Sequence, residues 1–129
     1  MTSWKDYIDY LKGFAGEHYL GCAMWTMDGT PVETSDEELQ LVNPADFIKI
    51  RNAFKSFSKG ETIDFKVGRA TLLESGPTGP TFYAKLSITN LSFVRSNSFI
   101  ICVHHEDHFR ETIHDAIMDL FCFLCGNGY

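Results

Sequence analysis

The sequence predicts an α+β fold in which an antiparallel β-sheet meander carries helices on both faces. Three observations support this: short β-rich runs fill the second half of the chain, apolar stripes of helical period open and close it, and a capped helix lies between them. The β-rich runs follow one another too closely for crossover helices, so they must pair antiparallel. We expect the N- and C-terminal helices packed together on one face and the middle helix on the other.

The first helix is predicted from Ser3, an N-cap residue type, with Asp6 at the third helical position as in a capping box. Apolar residues then recur at i, i+3, i+4 and i+7: Trp4, Tyr7, Ile8 and Leu11. Gly13 is expected to end this helix. The stretch 19–27 is typical of a strand, and Asp28-Gly29 predicts a hairpin turn because both residue types tolerate positive φ. Residues 31–34 are expected to form a short return strand.

The middle helix is predicted to begin at Asn43-Pro44, a cap residue followed by a proline whose missing N–H is no loss at the first helical position. It continues to Phe54. Five strands should follow, separated by turn residues that include Asn90: 62–67, 69–74, 81–89, 91–95 and 98–104. The last helix has the clearest apolar stripe, with Gly126 as its stop: Phe109, Ile113, Ala116, Ile117, Leu120, Phe121 and Leu124.

Composition and charge exclude several function classes. The 129 residues predict one domain, 1–129, with 44% hydrophobic and 22% charged residues. A net charge of −6 argues against nucleic-acid binding, since a phosphate backbone needs a basic stripe. No apolar run approaches the roughly 20 residues that cross a bilayer, and the opening residues lack the layout of a secretory signal. We therefore expect a cytoplasmic protein with no membrane insertion.

The cysteines and histidines form no recognised metal-site signature. Of the four cysteines only Cys122 and Cys125 form a C-x-x-C pair, so we expect reduced, mostly buried thiols, with a redox role for this pair as the alternative. One candidate metal set does not share one face, because a strand should end at His104 and a helix begin at His108: His104, His105, His108 and His114, with Glu106 and Asp107. No nucleophile with a base and no phosphate loop is present. We expect no cofactor, no metal and no enzymatic activity.

Aromatic residues crowd both ends of the chain. Trp4, Tyr7 and Tyr10 lie in the first predicted helix, and Phe121, Phe123 and Tyr129 lie in or after the last. If the two helices pack side by side, these rings share one surface. Aromatic-lined grooves of this kind bind proline-rich peptides.

The element order and four sequence stretches resemble the profilins, a family of small actin-monomer-binding proteins. The stretches are Ser3-Trp4-Lys5-Asp6-Tyr7-Ile8-Asp9, Met27-Asp28-Gly29-Thr30, Val42-Asn43-Pro44-Ala45-Asp46 and Phe123-Leu124-Cys125-Gly126-Asn127-Gly128-Tyr129. The resemblance covers essentially the whole chain. It implies a monomeric protein of the cytoplasm and cytoskeleton that binds actin monomers and proline-rich proteins such as formins, and so regulates filament assembly.

The resemblance also implies which residues bind poly-proline. The positions that match the family's groove are Trp4, Tyr7, Phe123, Leu124 and Tyr129. Most profilins carry a second tryptophan just after the first hairpin, whereas this chain has Val32, which lacks a large ring and an indole donor. Trp25 on the adjoining strand is either a substitute binding surface or a core residue, and the sequence leaves both interpretations open.

For actin, the resemblance points to basic residues on the late strands and to the start of the last helix. Arg69 and Lys85 match best, Lys66 and Arg95 match less well, and Glu111 and His114 lie on the helix. His114 stands where the family commonly has an asparagine. The late hairpin offers one lysine and no glycine, so phosphoinositide binding should be weak or absent.

Two other functions stay open at this stage. One is a small regulatory scaffold or sensor domain of the roadblock, longin or PAS type, without actin binding. The other is a metal-dependent activity that uses the histidine cluster. The aromatic residues at both ends favour the profilin-like interpretation, because neither alternative requires them.

Overall fold

The computed structural model describes residues 4–15, 18–32, 35–76, 80–106 and 110–129, with the side chains of Trp4, Phe14, Ala15 and residues 110–112 outside that description. These ranges contain four helices and six strands. The helices are α1 (Trp4–Ala15), α2 (Glu37–Gln40), α3 (Pro44–Ala53) and α4 (Arg110–Gly126). The strands are β1 (Tyr19–Thr26), β2 (Thr62–Phe65), β3 (Gly68–Ser75), β4 (Thr81–Leu86), β5 (Thr89–Arg95) and β6 (Phe99–Glu106).

The strands form one antiparallel sheet in the order β1-β6-β5-β4-β3-β2. Strands β2 to β6 pair consecutively as a meander, and β1 pairs with β6. Successive side chains of a strand point to opposite faces, so Cys22 and Met24 lie under α1 and α4, whereas Ala23 and Trp25 lie on the side of α2 and α3. The predicted α+β architecture, with the outer helices on one face and the middle helix on the other, is confirmed.

Capping residues explain where the two middle helices begin. The Asn43 side chain accepts a hydrogen bond from the Asp46 N–H, and Pro44 opens α3 as predicted. The short helix α2 is not predicted, because four residues are too few to show helical periodicity. Asp36 caps it by accepting from the N–H groups of Glu38 and Leu39.

After β1, the structure contains the predicted hairpin turn and begins the predicted return strand. Gly29 has a φ of 94°, which glycine adopts without strain, and its N–H donates to the Thr26 carbonyl. In the described part of the return strand, residues 31–32, one bridge joins Trp25 and Pro31, and the Val32 N–H donates to the Met24 carbonyl. Thr34 lies outside the described residues.

Several boundaries differ from the sequence expectations; β6, for example, continues to Glu106 instead of ending at His104. Helix α1 continues through the exposed Gly13 to Ala15, since a glycine within a helix costs only about 1 kcal/mol and need not end it; the predicted cap, Ser3, lies outside the described residues. The turn expected at Asn90 is wrong. The chain turns at Ser87-Ile88, where Ser87 takes a φ of 58°, and Asn90 is buried within β5 between Lys85 and His105.

The cysteines divide into two pairs. Cys22 and Cys102 are buried as expected, and burial raises the pKa of the Cys22 thiol to about 12. The expectation of mostly buried thiols is wrong for Cys122 and Cys125, which are exposed because they lie on the side of α4 opposite Leu120 and Leu124. Among the described helices, none is both long and apolar enough to span a membrane.

Candidate functional site

Helices α1 and α4 pack side by side over β1, β5 and β6, and their buried side chains form the floor of the candidate site. From α1 come Tyr7, Ile8 and Leu11. The apolar stripe of α4 contributes Ile113, Ala116, Ile117, Leu120 and Leu124. The first and last helices therefore lie alongside one another, as the sequence predicts.

Aromatic rings from both helices meet at the open side of this seam. The Tyr7 ring is nearly buried and packs edge-on against Phe123, with 5.4 Å between ring centroids and 60° between planes. Phe123 remains 39% exposed. Rings in this arrangement are already positioned, so a ligand laid across them would find an apolar surface without reorganising the protein.

Tyr129 closes one end of the site. Its N–H donates to the Leu124 carbonyl at 2.9 Å, and its own carbonyl accepts from the Ser98 N–H at 2.7 Å. Its ring lies 5.8 Å from that of Phe99 and is 39% exposed. Burial, the nearby phenol of Tyr129 and the Asp6 carboxylate all raise the pKa of Tyr7.

A shallow cavity of about 260 Å³ continues the site along the helix seam, lined by Tyr10, Asp119, Leu120 and Phe123. The Tyr10 hydroxyl donates to the Asp119 carboxylate at 3.3 Å. Burial and that carboxylate raise the pKa of Tyr10. We call the surface formed by Tyr7, Tyr10, Asp119, Phe123 and Tyr129 the furrow.

Six of the seven residues predicted to bind poly-proline fall into three groups. Tyr7, Phe123 and Tyr129 line the furrow. Leu124 and Val32 are buried in the apolar cluster beneath it, and the Trp4 side chain lies outside the described residues.

The interpretation of Trp25 as a substitute binding surface is wrong. It has no solvent exposure and packs against Phe47 on the opposite face of the sheet, with its indole N–H donating to the Gln40 carbonyl at 2.9 Å. It is a core residue and cannot contribute a substitute binding surface.

The sequence analysis placed Tyr10 among the rings of the shared surface but not among the poly-proline-binding residues, and it did not name Asp119. The helical spacing in the sequence nevertheless indicated both residues. Tyr10 follows Tyr7 by three residues and Asp119 precedes Phe123 by four, so each shares a helix side with a residue that was assigned. Their mutual hydrogen bond crosses between helices that are far apart in the sequence, and no spacing rule predicts such a contact.

The residues predicted to bind actin do not all lie together. Side chains of Ala70 and Ala84 fill the α3 side of the sheet, so their strand neighbours Arg69 and Lys85 point to the α4 side. The start of α4 is tied to the same region, because the Tyr83 hydroxyl and His114 Nδ1 share a hydrogen bond of 2.6 Å. Arg69, Lys85 and His114 therefore share one side of the sheet.

The other candidates for actin are placed differently. Arg95 alternates with Val94, whose side chain packs beneath α4, so Arg95 points to the opposite side of the sheet. Its grouping with Lys85 is wrong for that reason. Lys66 is exposed in the turn between β2 and β3, and the Glu111 side chain lies outside the described residues.

The histidines have protein partners. His105 is buried and shares a 2.7 Å hydrogen bond with the Ser92 hydroxyl, and His104 shares one of 2.7 Å with Thr89. Burial lowers the pKa of His104. In the described part of the chain, no three histidine, cysteine, aspartate or glutamate residues come together to hold a metal ion; His108 and Asp107 lie outside it.

Comparison with known proteins gives a result for structure and none for sequence. No family model matches the sequence, and no curated protein matches it significantly. Profilin IB of Acanthamoeba castellanii is similar in structure, with a TM-score of 0.76, 19% identity, and coverage of 98% of this chain and 100% of that one. Mouse profilin IIa, solved in complex with a double repeat from the FH1 domain of mDia1, is similar with a TM-score of 0.75 and 12% identity. The match covers 99% of this chain and 100% of that one.

LokiProfilin1, solved in complex with rabbit actin, gives a TM-score of 0.63 at 12% identity, with coverage of 92% of this chain and 94% of that one. These identities are too low to carry binding residues from one chain to the other. The agreement over nearly the full length does establish the architecture. The α+β sheet, with α1 and α4 together on one face, is the profilin fold.

Proposed function

We propose that this protein is a divergent profilin whose furrow binds proline-rich segments of other proteins. The observation that carries the proposal is the pair of half-exposed rings, Phe123 and Tyr129, held above a buried seam that already includes Tyr7. Aromatic rings that serve only to pack two helices together are buried between those helices. Rings left at the surface along the seam provide a surface for a ligand.

Proline-rich ligands suit this surface chemically. A polyproline II segment is extended before it binds, so little conformational entropy is lost, and its pyrrolidine rings pack against flat aromatic faces. The backbone carbonyls of such a segment have no internal partners and accept hydrogen bonds from phenol hydroxyls. Tyr7, Tyr10 and Tyr129 place three phenol groups along the furrow, and the Tyr10 hydroxyl among them donates to Asp119. With Val32 beneath it in place of a tryptophan, the furrow lacks one indole donor.

The second part of the proposal is an actin-binding surface on the α4 side of the sheet, around Arg69, Lys85 and His114. Basic side chains there would steer encounter with an acidic partner. LokiProfilin1, a protein of similar fold, was solved in complex with rabbit actin, which supports actin as the kind of partner. Two separate surfaces on one chain would bring an actin monomer to a proline-rich assembly factor such as a formin, which raises the local monomer concentration.

The remaining features of the proposal follow from this function. The protein acts in the cytoplasm and cytoskeleton as a monomeric single domain, without a cofactor or catalysis, and binds phosphoinositides weakly or not at all. The profilin fold disfavours a roadblock, longin or PAS-type scaffold, and those domains give no reason for exposed rings in the furrow.

The furrow is tested by isothermal titration with decaproline. We expect the wild type to bind, and Phe123→Ala to bind about tenfold more weakly, because it removes a central ring of the furrow. Ile48→Ala is the matched control, since Ile48 is a similarly exposed apolar residue on α3, on the other side of the sheet. Absence of heat with the folded wild type at millimolar peptide would overturn the proposal.

The actin surface is tested with pyrene-labelled actin. We expect the wild-type protein to change the polymerisation rate, and Lys85→Glu to weaken that effect by reversing a charge on the proposed surface. Arg95→Glu is the control, because it makes the same charge reversal on the opposite side. An unchanged polymerisation rate at saturating protein, or equal effects of both variants, would exclude this surface.

A further inference from the structure

Two exposed cysteines distinguish the outer side of α4. Cys122 and Cys125 are free thiols at the surface, whereas Cys22 and Cys102 are fully buried. Free cysteine is among the residue types most often buried in proteins, so an exposed pair is unusual. Burial raises the pKa of the Cys22 thiol to about 12 and that of Cys102 well above its usual value, which keeps both protonated. The two thiols on α4 are therefore the pair that a ligand from solvent can reach.

Met118 lies on the same side of α4 as these two cysteines. An α-helix turns by about 100° per residue, so side chains at i, i+4 and i+7 lie within about 60° of one another around its axis. Met118, Cys122 and Cys125 have this spacing, and Met118 is only partly buried. Helical side chains lean toward the N-terminus, so both thiols lean toward the turn that carries Met118. We call the surface formed by Met118, Cys122 and Cys125 the sulfur face.

Hydrogen bonds at the end of α4 hold the sulfur face in helical geometry. The Gly128 N–H donates to the Cys125 carbonyl at 3.2 Å, and the Asn127 side chain donates to the Phe123 carbonyl at 2.8 Å. Helical side chains three residues apart have Cβ atoms about 5–6 Å apart, whereas a disulfide needs about 3.5–4.5 Å. A disulfide between Cys122 and Cys125 would therefore distort the last turn. A metal ion with bonds of about 2.3 Å to two thiolates separates the sulfurs by up to about 4.6 Å, which suits the helical spacing better.

From this arrangement we infer that the sulfur face binds one Cu(I) ion, with the Cys122 and Cys125 thiolates and the Met118 thioether as its ligands. Thiolate and thioether sulfurs are soft ligands that select Cu(I). Zinc fits less well, because a structural zinc ion takes four ligands and draws them from thiolates, imidazoles and carboxylates. On binding, each thiol loses its proton and the ion keeps its oxidation state. The inference does not depend on the furrow, which lies on another side of α4.

The test is an anaerobic titration of the reduced protein with Cu(I) in competition with the chelator bicinchoninate. We expect the wild type to take one Cu(I) per chain. Cys122→Ser and Cys125→Ser should each bind at least about a hundredfold more weakly, because even loss of a group that only supports a ligand costs about 10–100-fold. Met118→Leu should bind about tenfold more weakly, since a neutral thioether is the weaker ligand. Met27→Leu is the matched control, because it changes a partly buried methionine on the other face of the sheet, and it should bind as the wild type does.

X-ray absorption of the copper-loaded protein counts the sulfur ligands directly. We expect three sulfur neighbours in the wild type and two in Met118→Leu, and Zn(II) should bind more weakly than Cu(I). Retention of all the Cu(I) by bicinchoninate would overturn the inference, as would undiminished binding by the folded double variant Cys122→Ser/Cys125→Ser. One ion shared by two chains would contradict a site within a single helix. Thermal unfolding confirms that each variant is folded, and decaproline titration keeps the proposed function as a separate question.

Discussion

The two faces of the sheet hold aromatic residues in opposite ways. On the α3 face, Trp25, Phe82 and Phe93 have no exposed surface. In the furrow on the other face, Phe123 and Tyr129 are each 39% exposed. Aromatic residues therefore form a fully buried core on one side of the sheet, whereas two of them remain partly exposed on the other side.

The contacts explain this difference. Phe82 and Phe93 stack at 4.4 Å with 12° between planes, and Phe54 packs edge-on against Phe82 at 4.7 Å, so each ring has protein on both sides. Phe123 contacts the Tyr7 ring on one side and solvent on the other. A buried ring contributes to the free energy of unfolding, whereas a half-exposed ring still has apolar surface available for binding.

The largest expected effect is a loss of stability on substitution in the buried aromatic core of the α3 face. Phe82→Ala should lower the free energy of unfolding by about 4 kcal/mol, because it removes a fully buried ring and leaves a cavity against Phe93. Urea unfolding followed by circular dichroism measures this. The fraction that stays folded should bind decaproline with wild-type affinity. A loss below about 1 kcal/mol would mean that this core is not packed as described.

Trp25→Phe should have the next largest effect. The substitution removes the indole N–H that binds the Gln40 carbonyl, together with some packing against Phe47, and should cost about 2 kcal/mol. Decaproline affinity should not change, since Trp25 lies on the face opposite the furrow. A loss of affinity in a variant of unchanged stability would restore Trp25 as a binding residue.

Phe123→Ala should have the opposite effects, a small loss of stability and a clear loss of peptide affinity. Its edge-on contact with Tyr7 contributes about 1 kcal/mol or less to stability, so the urea midpoint should shift only slightly. Peptide affinity is the property that this substitution should reduce. If Phe123→Ala destabilises the protein as much as Phe82→Ala does, the furrow rings serve to seal the helices together, and the contrast between the faces disappears.

The smallest effect belongs to the exposed turn after β1. Asp28 accepts hydrogen bonds from the Thr26 hydroxyl and from the Thr30 N–H and hydroxyl, and these bonds lower its pKa. A depressed carboxyl pKa gives stability that is present above the unfolded-state pKa and is lost as pH falls through the folded value. An NMR titration should find the Asp28 midpoint below the usual aspartate value of about 3.9, and Asp28→Asn should weaken the acid dependence of stability. A midpoint at or above the usual value would contradict the turn geometry.

The sequence predicts the order of the elements because periodicity and cap residues are local. Asn43-Pro44 and the stripe of α4 contain all the information needed to place α3 and α4. The turn after β4 could not be placed in this way. Asn90 is an ordinary turn residue by composition, but pairing with two neighbouring strands keeps it within β5, and the chain turns instead at Ser87.

The same limit applies to the furrow. Tyr7, Phe123 and Tyr129 could be named from the sequence, since aromatic residues near both ends point to one surface. Trp25 could not be assigned to a face, because a one-residue change in the position of a strand exchanges its two sides. The bond between Tyr10 and Asp119 depends on how α1 and α4 align along each other, and neither helix specifies that alignment alone.

Mapping decaproline on the protein by amide chemical shifts tests the open-furrow account most directly. We expect the peptide to shift amides of α1, of the last turns of α4 and of Tyr129, with α3 and β2 unchanged. Shifts centred on α3, around the exposed Ile48, or no shifts at saturating peptide, would contradict the assignment of the ligand surface to the furrow.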